Sequence, residues 1–474
     1  MAVKTVSRDL ALSEWSDHKF LAAEESSTEE SSPTSKGGRR WGSGKASNGY
    51  SEPSSPPRLE GRPHSASSES GLAAVKKALT EHVARCLPTD KDVDNRVTTM
   101  QSLRSLVLMG LNAEEEDIRL HRFGSAASGF GERGSDLDVA VELCCSNSKI
   151  QAQLAEKKIT DCHPIAKACI IAVGREVKEH PTFQVVGRIL SAKVPLLMLR
   201  DKYTGLSCDV SFGNLKGVTN TALLRAYAEL DERLVHVVLV VKKWAKAAGV
   251  SGSKRGYLSA YALTLMVIFF FQVAGELPSL QQHSSSKAHF LSSKDALARG
   301  LVKRSGLSSA ELLIAFFEYY IETFDWAREV VSVRLGERIS AMDKEFVELK
   351  HRRDTQSIHI EDPFELQRNL NCVLYGADAA LDLREAMEDA LKQLEKGKGS
   401  LNALFVHHCC ACHAKVKPKP GPKGKVEDQY EEGGREDETT DEWYCDGCWN
   451  QWERQRSAKK ANKYPLPRAG PADD

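Results

Sequence analysis

The chain has 474 residues, with 65 Lys and Arg against 65 Asp and Glu, a formal net charge of zero, and 41% hydrophobic residues. At ~150 residues per domain the length suggests about three domains, and the charge balance excludes both a uniformly basic nucleic-acid coat and a self-repelling acidic chain. It does not exclude nucleic-acid binding, which depends on where basic residues lie rather than on their sum.

Residues 1–72 are rich in Ser, with Gly, Pro and Glu, and lack periodic apolar residues, so a disordered tail is expected. Charges at Lys4, Arg8, Asp9, Glu14 and Asp17 leave no apolar core for a secretory signal. A helical pattern then runs through Val75, Leu79 and Val83 and, past Pro88, through Val97, Met100, Leu103 and Leu106. Between Ile118 and Leu143, the alternating runs IRLHRF and DLDVAVEL flank a glycine-rich turn, predicting strand, turn and strand. VVGRIL, VPLLMLRD and LSCDVSF are further strand candidates, and from Asn220 to about Lys398 the pattern is helical. Its most apolar part, Leu258 to Ala274, contains Ser259, Tyr261, Thr264 and Gln272 and falls short of the ~20 apolar residues of a membrane span. It is expected to be a buried core helix. Cysteines are scattered except near the C-terminus, which points to a reducing compartment, cytoplasmic or nuclear.

The chemistry concentrates in Gly124-Ser125, then Asp136-Leu137-Asp138, then Asp209. Residues two apart on a strand share a face, so Asp136 and Asp138 are expected side by side, and like charges that close favour a cation between them. Hard carboxylate oxygens suit Mg²⁺, which fills its other positions from phosphates and water. Asp209 stands in an apolar strand, where a lone carboxylate is costly without a partner or metal. The turn at Gly124-Ser125 offers backbone approach, amide donors and a hydroxyl to a polyphosphate. An isolated D-x-D is common; the combination indicates two-metal phosphoryl or nucleotidyl transfer with Mg²⁺ or Mn²⁺. Lys242 and Lys246, four apart on a helix, present two ammonium groups to a triphosphate or form a solvated basic stripe.

Near the C-terminus, Cys409-x-x-Cys412 and Cys445-x-x-Cys448 have the spacing of a four-thiolate structural Zn²⁺ site, although the stretch between the pairs exceeds that of a compact zinc ribbon. Part of that stretch reads as a disordered insert, and a redox or incidental cysteine cluster is the alternative.

Taken in order, these segments resemble the DNA polymerase beta-like nucleotidyltransferase superfamily, and more narrowly the template-independent terminal uridylyltransferases and non-canonical poly(A) polymerases. The narrower likeness rests on Asn220-Thr221-Ala222-Leu223-Leu224-Arg225-Ala226-Tyr227, on Val241 to Lys246, on Gly256-Tyr257-Leu258-Ser259-Ala260-Tyr261, and on Ile360-Glu361-Asp362-Pro363-Phe364 with Asn369. The resemblance implies that Asp136, Asp138 and Asp209 are catalytic and hold the metals. It also implies that Gly124, Ser125, Asn220, Lys242, Lys246, Ser259 and Tyr261 bind the nucleotide, Tyr261 by stacking on the base. Ala260 replaces a second serine of many members. Arg368 stands where many uridylyltransferases carry a histidine; donating only, it suits a uracil carbonyl better than an adenine amino group.

The expected fold class is α+β: a mixed-sheet nucleotidyltransferase domain and a helical, poly(A)-polymerase-associated central domain, with a small C-terminal zinc-binding unit. Expected boundaries are a tail at 1–72, a helix at 73–91 packing on the central domain, the catalytic domain at 92–219, the central domain at 220–405 and the cysteine-rich unit at 406–474. The expected activity is addition of nucleotides to an RNA 3′-hydroxyl from UTP, with ATP as the alternative. A catalytically inactive RNA-binding scaffold is the more remote reading. RNA is expected to lie in a cleft lined by Lys242, Lys246, Lys254 and Arg255, with no membrane association.

Overall fold

The computed structural model describes residues 66–144, 162–284, 290–342, 358–366, 368–374, 378–395, 401–405 and short stretches within 418–454. Two compact units divide the chain. Among the described residues the first comprises Val83–Val235 and Leu280–Val302, and the second the residues up to His82, His236–Ser279 and those from Lys303 onward.

Helix α1 (Ala66–Cys86) begins within the stretch expected to be a tail, and Pro88, which has no amide to donate, separates it from α2 (Asp90–Leu111). Thr89 caps α2: its side chain accepts from the Asp92 amide while the Asp92 carboxylate accepts from the Thr89 amide. After α2 come β1 (Ile118–Phe123), the single turn α3 (Ser125–Ser128), β2 (Leu137–Leu143), α4 (Cys162–Glu176), β3 (Phe183–Ile189), β4 (Leu196–Asp201) and β5 (Ser207–Phe212). The strands form one sheet in the order β1-β2-β5-β4-β3. All neighbours are antiparallel except the central pair β2 and β5, which run parallel.

Alternation decides what each face carries. Leu137, Val139 and Val141 of β2, Cys208, Val210 and Phe212 of β5, and Leu197 and Leu199 of β4 join one buried cluster with Leu103, Leu106 and Val107 of α2 and Ile170 and Val173 of α4. The intervening positions, Asp138 and Asp209 among them, therefore point to the opposite face. A mixed sheet with helices on one face is the α+β arrangement expected of the first domain. Helix α5 (Leu215–Leu230) packs against α3, β1 and β2, and α8 (Ser293–Ala298) against α5.

Helix α6 (Glu232–Ala247) enters the second unit at His236, where α7 (Ala260–Val273), α9 (Ser309–Glu318) and α10 (Asp378–Glu395) follow. Every residue of α7 from Ala262 to Val273 is buried, as a core helix requires, and no described helix is long and apolar enough to cross a membrane. Aromatic rings fill this core: Phe316 lies 6.0 Å from Phe270, 5.2 Å from Phe317 and 5.1 Å from Tyr320, and Trp244 meets Phe317 edge-on at 4.9 Å. Lys243 sits over the Phe405 ring, 4.9 Å from its centroid.

The second unit is not wholly helical. Strands β6 (Glu329–Val331), β7 (Ile339–Ser340) and β8 (His359–Ile360) form a small sheet in the order β7-β6-β8, with β6 and β8 parallel. Strands of two or three residues leave almost no alternation to detect in a sequence. Short antiparallel pairs, β9 (Pro418–Lys419) with β10 (Glu431–Glu432) and β11 (Gly434–Asp437) with β12 (Glu442–Cys445), also occur where a disordered insert was expected. Cys409 and Cys412 lie outside the described residues, as does the side chain of Cys445; Cys448 is half-buried.

Replacing Phe316, which is fully buried, by Ala should destabilise the protein by about 3–5 kcal/mol, through lost transfer energy and an unfilled cavity, read from urea unfolding curves.

Candidate active site

Asp138 and Asp209 are register partners across the parallel β2–β5 pair, so their carboxylates emerge side by side from the face away from the core. Asp136 precedes β2 and is exposed. It is thus a loop residue at the strand's mouth rather than a strand residue paired with Asp138. Burial, then the charges of Asp209 and Asp136, raise the Asp138 carboxyl to about 7. The Cys208 thiol beside Asp209 is pushed up to about 12, first by burial and then by acids including Asp201 and Asp209. Burial thus keeps this thiol protonated at neutral pH.

The glycine of the turn after β1 is dictated by Asp138. Gly124 pairs with neither strand but follows Phe123, the register partner of Asp138, and has φ +75. A Cβ built on it would stand 1.9 Å from Asp138 Oδ2. Only a residue without a side chain fits there. Its amide, expected to be a phosphate donor, instead donates to Thr221 Oγ1 at 2.9 Å, and Thr221 Oγ1 donates to the Gly217 carbonyl at 2.8 Å. Thr221 thus ties α5 to the turn, a role that the N-T-x-L-L segment carried without revealing. Ser125 is half-buried and opens α3. Asn220, beside Thr221, holds its amide oxygen buried with no hydrogen-bond partner among the described residues. A ribose or base donor would satisfy it.

The carboxylate set fits a hard divalent cation: oxygen donors, like charges on adjacent strands, and an Asp138 whose ionisation the site opposes unless positive charge is supplied. Among the described residues no three His, Cys, Asp or Glu side chains form a closed cage, as suits Mg²⁺, which takes one or two carboxylates and completes its shell from phosphates and water. Of the three acids expected together, Asp138 and Asp209 are register partners, and Asp136 lies near enough for its charge to act on Asp138.

In the second unit, Ser259 is the N-cap of α7, its hydroxyl accepting from the Ala262 amide at 3.2 Å. That contact fixes the helix start and leaves Tyr261 in the first turn. The Tyr261 hydroxyl is buried without a hydrogen-bond partner among the described residues. Burial and the neighbouring Asp362 hold its phenol well above the usual range. Arg368 lies over the same acids, with Nη1 3.1 Å from Glu365 Oε2 and 3.6 Å from Asp362 Oδ2. Asp362 is fully buried, and its Oδ1 accepts from the Phe364 and Glu365 amides at 3.1 Å each. Glu361 anchors this segment: Arg334 Nη2 donates to its Oε1 at 2.7 Å, and Ser332 Oγ to its Oε2 at 2.5 Å. Sequence reading passed over Arg334 and Ser332, because nothing local marks a partner some thirty residues distant.

Lys242 is half-buried and Lys246 exposed on α6. Arg255, expected along the RNA track, folds back on its own loop: Nη2 donates to the Gly249 carbonyl at 2.7 Å and to the Ser251 carbonyl at 2.8 Å.

Known proteins carry the same two blocks. Residues 75–229 match the family described as poly(A) RNA polymerase, mitochondrial-like, central palm domain, and residues 308–368 match the Cid1 family of poly A polymerases. Poly(A) RNA polymerase GLD2-A of Xenopus laevis is 30% identical over 255 residues, covering 52% of this chain and 47% of its own length. Terminal uridylyltransferase 4 of Homo sapiens is 30% identical over 290 residues, 57% of this chain and 16% of its own length. The chain spans about half the length of the GLD2 relatives it matches. A solved cytoplasmic RNA terminal U-transferase superposes with TM-score 0.58 at 22% identity, covering 71% of this chain and 99% of that one. The Cid1 poly(U) polymerase with MgGTP bound gives TM-score 0.57 at 23% identity, covering 70% and 98%. These likenesses extend the shared fold across the described blocks.

The raised Asp138 carboxyl gives a pH signature. The folded protein keeps this proton up to about 7, whereas the unfolded chain loses it near the ordinary value of 3.8. Between those values the native state binds more protons, so in metal-free buffer stability falls as pH rises through the window. Asp138→Asn should remove this slope, making the variant more stable than wild type by roughly 2–4 kcal/mol at pH 8, an advantage that shrinks through the window and vanishes below the ordinary carboxyl value of 3.8, read by thermal unfolding.

Proposed function

We propose, from the placement of this chain among the template-independent RNA nucleotidyltransferases of the poly(A)/poly(U) polymerase family, that it extends RNA 3′ ends with nucleotides taken from a nucleoside triphosphate. The observation that carries the reading is the register pairing of Asp138 with Asp209, beside a turn that only glycine can occupy. A scaffold without catalysis would have no use for two carboxylates held against their mutual repulsion.

Asp136, Asp138 and Asp209 would hold Mg²⁺ or Mn²⁺, which when bound supplies charge neutralisation at the triphosphate and a lowered pKa at the attacking hydroxyl. The Asp209 carboxylate stands on the nucleophile side and accepts the proton of the RNA 3′-hydroxyl. The turn from Gly124 to Ser125, fixed by Thr221, lies against the phosphates, and Asn220 Oδ1 accepts from the nucleotide's sugar or base. Lys242 and Lys246 meet the triphosphate as point charges, and pyrophosphate leaves. Ser259 holds the start of α7 so that Tyr261 lies along the base, worth ~1–3 kcal/mol if it stacks.

UTP is the favoured substrate. The Arg368 guanidinium carries donors only, suits a uracil carbonyl, and is held by Glu365 and Asp362 close to Tyr261. One observation favours ATP instead: Asp362 Oδ2 accepts no hydrogen bond among the described residues and could accept from the adenine amino group. A labelled RNA oligonucleotide incubated with Mg²⁺ or Mn²⁺ and each triphosphate separately should be extended best with UTP, and Asp209→Ala should lower extension by at least about 1,000-fold. Absence of extension with every nucleotide overturns the enzyme reading; preference for ATP promotes the second substrate.

The C-x-x-C pairs are assigned to one structural Zn²⁺, held by Cys409, Cys412, Cys445 and Cys448, with β11 and β12 leading into the second pair. The purified protein should contain one zinc per chain, and joint replacement of Cys445 and Cys448 by Ser should abolish it without unfolding the catalytic core. Unchanged zinc content in that variant defeats the assignment.

A further inference from the structure

We propose that Tyr257 and Asp382 are positioning residues that tie the nucleotide-holding start of α7 to the last described long helix, α10. The inference rests on the assignment of Ser259 and Tyr261 to nucleotide binding. Tyr257 Oη donates to Asp382 Oδ2 at 2.7 Å, a hydrogen bond to a carboxylate across 125 residues of sequence. Asp382 stands on a firmly seated element, since Leu383 and Met387 of α10 are fully buried, and Arg384 Nη2 donates to the Ile321 carbonyl at 3.4 Å.

On the other side of this bond is a loop with little freedom of its own. The Arg255 guanidinium fills it, bonded to the Gly249 and Ser251 carbonyls and lying 5.9 Å from the Tyr257 ring centroid. The Gly252 amide donates to the Leu258 carbonyl at 2.9 Å and the Tyr257 amide to the Gly252 carbonyl at 3.2 Å. Gly252 and Gly256 take φ +112 and +83, which lets the chain wrap the guanidinium so closely. Two residues after Tyr257 comes Ser259, and two after that Tyr261. Between them only Leu258, fully buried, intervenes before the cap. The phenol–carboxylate bond therefore links this loop, and with it the cap of α7, to a distant helix.

Losing the bond should let the start of α7 shift relative to the rest of its unit. Binding of the triphosphate should then weaken while the carboxylates of the first unit continue to act. Tyr257→Phe keeps the ring and its contact with Arg255 and removes only the donor. In steady-state extension assays at saturating RNA it should raise KM for the nucleotide about 3–10-fold, with kcat changed less than about 2-fold. Asp382→Ala should do the same. Asp382→Asn, which keeps an acceptor oxygen, should stay close to wild type, and the double variant Tyr257→Phe with Asp382→Ala should be no worse than either single one. Thermal midpoints are measured in parallel. An unchanged nucleotide KM in Tyr257→Phe, or a lower kcat accompanied by an equally lowered midpoint with no KM effect, overturns the proposal. Wild-type protein that neither extends RNA nor binds any triphosphate in a direct fluorescence titration overturns the nucleotide assignment itself, and the positioning role with it.

Discussion

Two carboxylates held opposite one another on the parallel pair at the centre of a sheet are the constraint from which the first unit follows. Asp138 and Asp209 share a register position, and burial with mutual repulsion raises the Asp138 carboxyl to about 7. Such an arrangement works against the fold unless other contacts over-determine it. Here they do. The same two strands send Leu137, Val139, Val141, Cys208, Val210 and Phe212 into the cluster under α2 and α4. A one-residue slip of either strand would bury the acids and expose the core. The hydrophobic face fixes the register, and the register forces the acids together.

The neighbourhood adapts to that demand. Gly124 is glycine because Asp138 Oδ2 fills the space a Cβ would need, and the amide it turns toward α5 is satisfied by Thr221. Asn220, one residue away, retains a buried oxygen with no hydrogen-bond partner among the described residues. A sheet face, a turn and a helix are thus tied together around an acidic pair and a lone buried acceptor. The chemistry this arrangement suits is that of a cation with a polyhydroxylated, phosphorylated ligand.

The second unit solves a different problem, the fixing of an irregular segment. The run from Ile360 to Arg368 has a single short strand, yet Glu361 is held by Arg334 and Ser332, and the Asp362 Oδ1 atom by two amides. These buried, fully engaged groups hold Asp362 Oδ2, Glu365 and Arg368 in the charged surroundings of the Tyr261 hydroxyl. Buried ion pairs of this kind contribute little net stability, because desolvation offsets attraction, and their value lies in the geometry they impose.

Much of this was legible in order along the chain. The strands β1 and β2, the D-x-D acids, the lone Asp209 and the buried helix α7 all show through local periodicity, because a half-buried strand alternates and a core helix is apolar throughout. The small sheet β6-β7-β8 did not show, its strands being too short to carry a period. Nor could the sequence foresee that Arg255 folds onto its own loop: an arginine in a glycine-rich segment reads equally as a phosphate ligand, and only the carbonyls at Gly249 and Ser251 decide the matter.

By itself, then, the sequence determined which residue types were present and which face of each strand they occupied, since these follow from steric alternation and solvent transfer alone. The tertiary structure decided which residues meet: Asp138 with Asp209 across 71 positions of sequence, Gly124 with Thr221, Glu361 with Arg334, Tyr257 with Asp382. Hydrogen bonds and charge pairs act over a few ångströms, and distance along the chain carries no information about them until packing has closed the loops between.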